Sequence, residues 1–203
     1  MKDYSKFFRK CITHTTRLPR ADETNGTTYH FVTRDAFSQL VDRGDFFVEH
    51  SEVHNNCYGL SAGSLEEARG KIPILELDVQ GARKLRHGGV AERYGLQPKY
   101  LFIAPTSIDA LKERLVLRGT ETEEEMALRL RNAEVEIHAS AHETGLFDIV
   151  LVNDDLEATS RALFNTCRFW YPMLPSPSRL RMLQRRVAKV KAQAAAQRGD
   201  GDL

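Results

Sequence analysis

Thr15-Thr16-Arg17-Leu18-Pro19-Arg20, followed closely by Asn25-Gly26-Thr27-Thr28-Tyr29, is the stretch on which the reading of this chain turns. Arg17 and Arg20 can each give forked, charge-assisted hydrogen bonds to one phosphate, worth about 1.5–3 kcal/mol apiece when shielded from water. Tyr29, and Tyr58 in Tyr58-Gly59, add phenolic donors for the same oxygens, and Glu49 brings a carboxylate able to accept from paired N–H groups on a base edge. A surface charge is the ordinary role of any one arginine. Four phosphate donors strung at this spacing serve no packing purpose, so together they read as a pocket for a nucleoside monophosphate.

Around that stretch, helix and strand signals alternate, which points to an α/β layer with a mostly parallel sheet. Lys10–Thr13 reads as a short strand entering the Thr-Thr-Arg turn. Thr33 caps a helix carrying Phe37, Leu40 and Val41, closed by Gly44. Phe46–Glu49 and Cys57–Leu60 read as strands with Asn55-Asn56 at the turn, and Ser64 with Glu67 as a capping box for a brief helix. Ile72–Val79 reads as a buried strand, whose alternation would set Glu76 and Asp78 on one face. Tyr100–Ala104 is the most apolar strand, followed by a helix capped at Ser107. Thr122 and Glu125 form a second capping box for a long helix, and Phe147–Val152 reads as the last strand, before a helix through Phe169.

The order of these motifs resembles the guanylate kinase family over roughly residues 7–169. The resemblance implies a P-loop nucleoside monophosphate kinase-like α/β fold, a parallel sheet flanked by helices. It places a GMP-binding region at about 15–75, a lid at about 106–138, a domain over 1–171 and an extension over 172–203. It implies that Arg17, Arg20, Tyr29 and Tyr58 bind the GMP phosphate beside Thr13, which stands where the family usually has serine. Glu49 falls at the guanine-pairing carboxylate, one residue further along than usual, so the extra residue bulges its strand or turns Glu49 to the other face. Leu60 replaces a usual Ser or Thr that reads guanine, which predicts the loss of about 1 kcal/mol of hydrogen bonding. Asp78 matches an acid on the guanine side of GMP, and Glu76 replaces an aspartate near magnesium. Arg118, in Arg118-Gly119-Thr120-Glu121-Thr122-Glu123, and Arg129 match the lid arginines that stabilise charge on the migrating phosphoryl group. Asn153 fits the turn on the adenine side.

ATP and Mg2+ are the implied co-substrate and cofactor, and GMP is the implied acceptor, with dGMP left open. A donor cradle is normally Gly-x-x-x-x-Gly-Lys-Ser/Thr between a strand and a helix. No such run occurs in these 203 residues: Gly63 and Gly70-Lys71 are too far apart, and isoleucine follows the lysine. The family's first strand and phosphate loop are therefore not represented here, and transfer of phosphate by the chain as written is expected to be very poor. Two readings stay open: a guanylate kinase, and a catalytically silent GMP-binding or scaffold-type module.

Composition bounds the rest. The chain holds 29 Lys/Arg and 28 Asp/Glu, but seven of the bases and two of the acids lie from Ser176 onward. The body is thus mildly acidic, with no electrostatic footprint for nucleic acid, and the extension is basic. Leu180, Leu183, Val187 and Val190 recur there at helical spacing, so the segment reads as a solvated helix or one that meets an acidic partner or membrane surface. Three unpatterned cysteines suit a reducing compartment, no apolar run approaches transmembrane length, and a cytosolic address is the default. No metal cluster is expected.

Overall fold

The structure is a computed structural model that describes residues 4–53, 55–180 and 182, without the side chains of 46–49 and 53. One four-stranded sheet, in the order β3-β2-β5-β4, carries Tyr58 on a strand and is flanked in sequence by Thr13, Arg17, Arg20 and Tyr29. β2 (His14–Thr15) runs parallel to β3 (His30–Phe31). It is antiparallel to β5 (Asn56–Ser61), which in turn pairs antiparallel with β4 (Phe46–Val53). Asn55, with φ of 61°, turns the chain between β4 and β5, a conformation asparagine tolerates better than most residues. The register of β4 slips twice: Phe46 opposes Ser61, Val48 opposes Leu60, and Ser51 opposes Tyr58. Each slip puts an extra residue on β4, as a bulge does. Glu49 lies inside the second.

The parallel strands form two separate pairs. β1 (Phe8–Lys10) pairs with β6 (Ile72–Ile74), and β7 (Leu101–Pro105) with β8 (Ile149–Asn153). The strand expected over Ile72–Val79 stops at Ile74. Asp78 instead caps α3 (Val79–His87), accepting from the Gly81 N–H at 2.6 Å; a capping aspartate ends the strand pattern that the apolar run suggested. A short α4 (Val90–Arg93) follows.

Most caps fall where the sequence puts them. Thr33 opens α1 (Arg34–Asp42), Ser107 opens α5 (Ile108–Arg118), and Thr122 with Glu125 forms a reciprocal capping box on α6 (Glu123–His142). Asp155 caps α7 (Leu156–Trp170). The cap of α2 (Ala62–Glu66) is Ser61, not Ser64. Ser64 is buried and donates its hydroxyl to the Ile12 carbonyl at 2.7 Å, which removes it from capping.

The core joins these layers. Leu60, Cys11, Ala82, Leu85 and Tyr100 form one buried cluster, so β5 is tied to the helices behind it. A second cluster gathers Tyr4, Phe8, Leu174 and Leu180, and the Tyr4 hydroxyl donates to the Pro175 carbonyl. The segment read as a linker therefore packs on the body as far as Leu180. Leu183, Val187 and Val190 lie outside the described residues.

Candidate active site

The Thr15–Arg20 turn leaves β2 held by its own threonines. Thr15 is fully buried and its hydroxyl accepts from the Arg17 N–H, while the Thr16 N–H donates to the Cys57 carbonyl at 3.1 Å and the Thr16 hydroxyl accepts from the Cys57 N–H at 3.0 Å. That clamp aims Arg17 across the sheet. Its guanidinium lies 5.4 Å from the Tyr29 ring centroid and 5.7 Å from Phe31, and Tyr29 sits 6.2 Å from Tyr58. Arg17, Tyr29 and Tyr58 therefore converge. Thr13 is buried alongside, its carbonyl accepting from the His30 N–H.

Glu23 orders both arginines of the turn. It accepts from Arg17 Nη2 at 2.7 Å and from the Arg20 backbone N–H at 2.8 Å, and its side chain is only 9 % exposed. The hydrogen bond from Arg17 holds its carboxyl below the ordinary range, against the opposing effect of burial. Burial pulls the Arg17 guanidinium down, but Glu23 outweighs it and leaves Arg17 raised. Burial first, then the Glu76 carboxylate, pushes the Tyr29 phenol up, so it stays protonated and able to donate.

Arg118 and Arg129, the arginines matched to the lid by sequence, meet Arg20 at one carboxylate. Glu121, between α5 and α6 with its side chain 2 % exposed, receives Arg118, Arg20 at 3.4 Å and Arg129 at 3.5 Å. The Thr120 hydroxyl adds a bond at 2.9 Å. Burial would raise the Glu121 carboxyl, but Arg118 and Thr120 lead the effects that bring it below its usual value. Arg129 is lowered chiefly by burial, and it also feels Tyr58, Arg118 and Arg20. Arg20 thus shares one acidic centre with Arg118 and Arg129, about a hundred residues further along the chain. Arg114 on α5 clasps the far turn, donating to the carbonyls of Asn153 and Asp154 at 2.7 and 3.2 Å.

Glu76 and Asp78 border the same cavity but hold different partners. Glu76 pairs with Lys10 at 2.7 Å. Asp78 accepts from the Ser51 hydroxyl at 2.6 Å as well as capping α3. The shared strand face expected for them does not form, because β6 ends before either. Glu49 is placed in β4 within the slipped register, and its side chain is outside what the structure describes. Leu60 does not face the pocket: it is 2 % exposed, packed in the core, and so cannot stand in for a base-reading hydroxyl. Ser51, Glu23 and the hub role of Glu121 were not singled out from sequence. The signal for Glu23 was its position three residues past Arg20, and Ser51 gave none.

A family model described as Guanylate kinase matches residues 1–168. The chain belongs to the guanylate kinase family. Guanylate kinase of Sus scrofa is 39% identical over 165 residues, spanning 80% of this chain and 79% of the relative. The Homo sapiens guanylate kinase is 38% identical over 159 residues, spanning 77% of each. Guanylate kinase 1 of Oryza sativa is 44% identical over 160 residues, but the match spans only 40% of that longer protein. A solved guanylate kinase from Anaplasma phagocytophilum superposes with a TM-score of 0.61 at 32% identity, covering 82% of this chain and 77% of that one. The family's α/β architecture, with parallel strands flanked by helices, is the architecture seen here. Among the described residues no helix is long and apolar enough to cross a membrane.

Proposed function

We propose that this chain binds GMP by its phosphate and presents it for phosphoryl transfer from ATP. One observation carries the reading: Arg17, Tyr29 and Tyr58 converge on one sheet while Arg20, Arg118 and Arg129 gather on Glu121. A buried carboxylate that gathers three guanidinium groups supports a site for concentrated negative charge, the kind of charge a phosphoryl transition state develops. In this reading Arg17, Tyr29 and Tyr58 grip the acceptor phosphate, and Arg118 and Arg129 let go of Glu121 to neutralise the migrating group. The same reading assigns Asp78, with Ser51, and Glu49 to the guanine and Asn153 to the adenine side.

The donor half is weaker. Among the described residues no group of three or more His, Cys, Asp and Glu side chains is placed to hold a metal. Magnesium carried in on nucleotide phosphates needs only one or two carboxylates, a part that the half-exposed Glu76 fits. The 203 residues offer no glycine-rich cradle for the donor phosphates, and positioning is most of this chemistry. That observation favours a second reading, a GMP-binding module that is catalytically silent by itself.

Coupled detection of ATP-dependent GDP formation, run beside GMP calorimetry, decides. Heat of GMP binding with measurable turnover supports the transferase; binding without turnover selects the silent module. No binding by a folded chain ends both.

A further inference from the structure

Ser51 shares a sheet face with Tyr58 because β4 slips. Carried on from the Val48–Leu60 pairing, the ladder would set Ser51 opposite Cys57, whose side chain leaves β5 on the face away from Tyr58. The slip between Val48 and Ser51 sets it opposite Tyr58 instead, and cross-strand partners project from one face. The Tyr58 ring lies 6.2 Å from that of Tyr29, over which the Arg17 guanidinium sits. Bulges recur beside active sites, where they re-aim a side chain in this way.

From that face the Ser51 hydroxyl donates to Asp78 Oδ2 at 2.6 Å, while the Gly81 N–H donates to Oδ1 at 2.6 Å as Asp78 caps α3. One bond on each oxygen fixes the plane of the carboxylate. Lys84, further along α3, donates to the His50 carbonyl at 3.1 Å and ties the helix to β4 at the same place. An ionised carboxylate only accepts, so the single proton of the Ser51 hydroxyl is spent on Asp78. Both side chains therefore turn lone pairs toward a ligand seated against them. Leu60, two residues past Tyr58 on β5, is apolar and 2 % exposed, so it supplies no hydroxyl there.

Within the GMP site proposed above, and resting on that reading, we infer that Ser51 sets specificity at carbon 2 of the purine. It holds Asp78 in place and forms with it a wall of acceptors for the exocyclic amine of guanine. Hypoxanthine carries only hydrogen at that carbon and cannot fill the wall, and acceptors left dry against a ligand are costly. Ser51 acts chiefly through Asp78 and is therefore a positioning residue.

The test titrates GMP and inosine monophosphate into the full chain, Ser51→Ala and Ser51→Thr by calorimetry, with urea midpoints to check that each is folded. Wild type should prefer GMP by about tenfold or more. In S51A the GMP affinity should fall about three- to tenfold, while that for inosine monophosphate stays within about twofold, so the preference shrinks with GMP alone. S51T keeps the hydroxyl and should keep the wild-type preference. A purely structural role, a slackened cap on α3, would weaken both nucleotides equally and leave their ratio intact, and that result overturns the inference. So do an S51A that binds GMP as wild type does, an S51T that loses the preference as S51A does, and a wild type that binds both nucleotides alike. No heat from either nucleotide with folded wild type would remove the GMP site itself, and this inference with it.

Discussion

Replacing Glu121 by glutamine isolates the central carboxylate with little change in shape. Three guanidinium groups lie at about bonding distance from it, two of them at 3.4 and 3.5 Å. At an effective dielectric near 20, each attraction is about 4–5 kcal/mol before desolvation. Arg20, Arg118 and Arg129 are 24–40 % exposed, so the net loss falls between that of a surface pair and that of a buried one, about 2–3 kcal/mol. Some of it is the mutual repulsion of three cations left together. For a chain of this size the unfolding midpoint should drop about 5–10 °C. Nucleotide should reverse the order: with the competing carboxylate gone, GMP should bind E121Q about three- to tenfold more tightly than wild type. Saturating GMP should then recover more stability in the variant than in wild type. Differential scanning fluorimetry with and without GMP, backed by calorimetry, reads both effects. An unchanged midpoint together with unchanged or weaker GMP binding would refute the idea that Glu121 holds the arginines where phosphate charge belongs.

Leu60→Ser should not sharpen guanine recognition. Leu60 fills the core cluster with Cys11 and Leu85, so urea denaturation should show a loss of about 3–5 kcal/mol. Glu23, held below its usual pKa by Arg17, contributes stability above about pH 4.5 that disappears as pH falls through its folded value. E23Q should therefore flatten the acid limb of a stability–pH curve. Glu136 has the opposite sign. Burial and Asp78 raise it, so the fold is favoured while it is protonated and loses stability as pH rises from the unfolded value through the folded one. E136Q should leave stability at pH 4 nearly unchanged and raise it at pH 7, measured by denaturant midpoints.

Much of the fold was legible because its signals are local. Thr33, Ser107 and the Thr122/Glu125 box cap helices where capping chemistry predicts. The Arg17, Tyr29 and Tyr58 convergence followed from the motif. What sequence hid depends on contacts between distant segments. Ile72–Val79 has a strand's composition, yet the Asp78 carboxylate finds Gly81 and Ser51 and starts a helix. Leu60 seemed a lost hydroxyl beside the base until the register of β5 pointed it into the core. The Glu49 insertion was correctly read as a possible bulge, but its second slip depends on the pairing of β4 with β5. No spacing in the chain reveals that Arg20, in the turn after β2, and Arg129, on α6, reach the same carboxylate, because they meet at Glu121 only in the folded chain.

Calorimetric titration of GMP into the folded chain and into Arg20→Ala tests the phosphate site most directly. The structure predicts heat of association for wild type and about a 10- to 100-fold weaker affinity for the variant, the value of one charged phosphate contact. Circular dichroism checks that both are folded. Equal affinities, or no heat from a folded wild type, would contradict it.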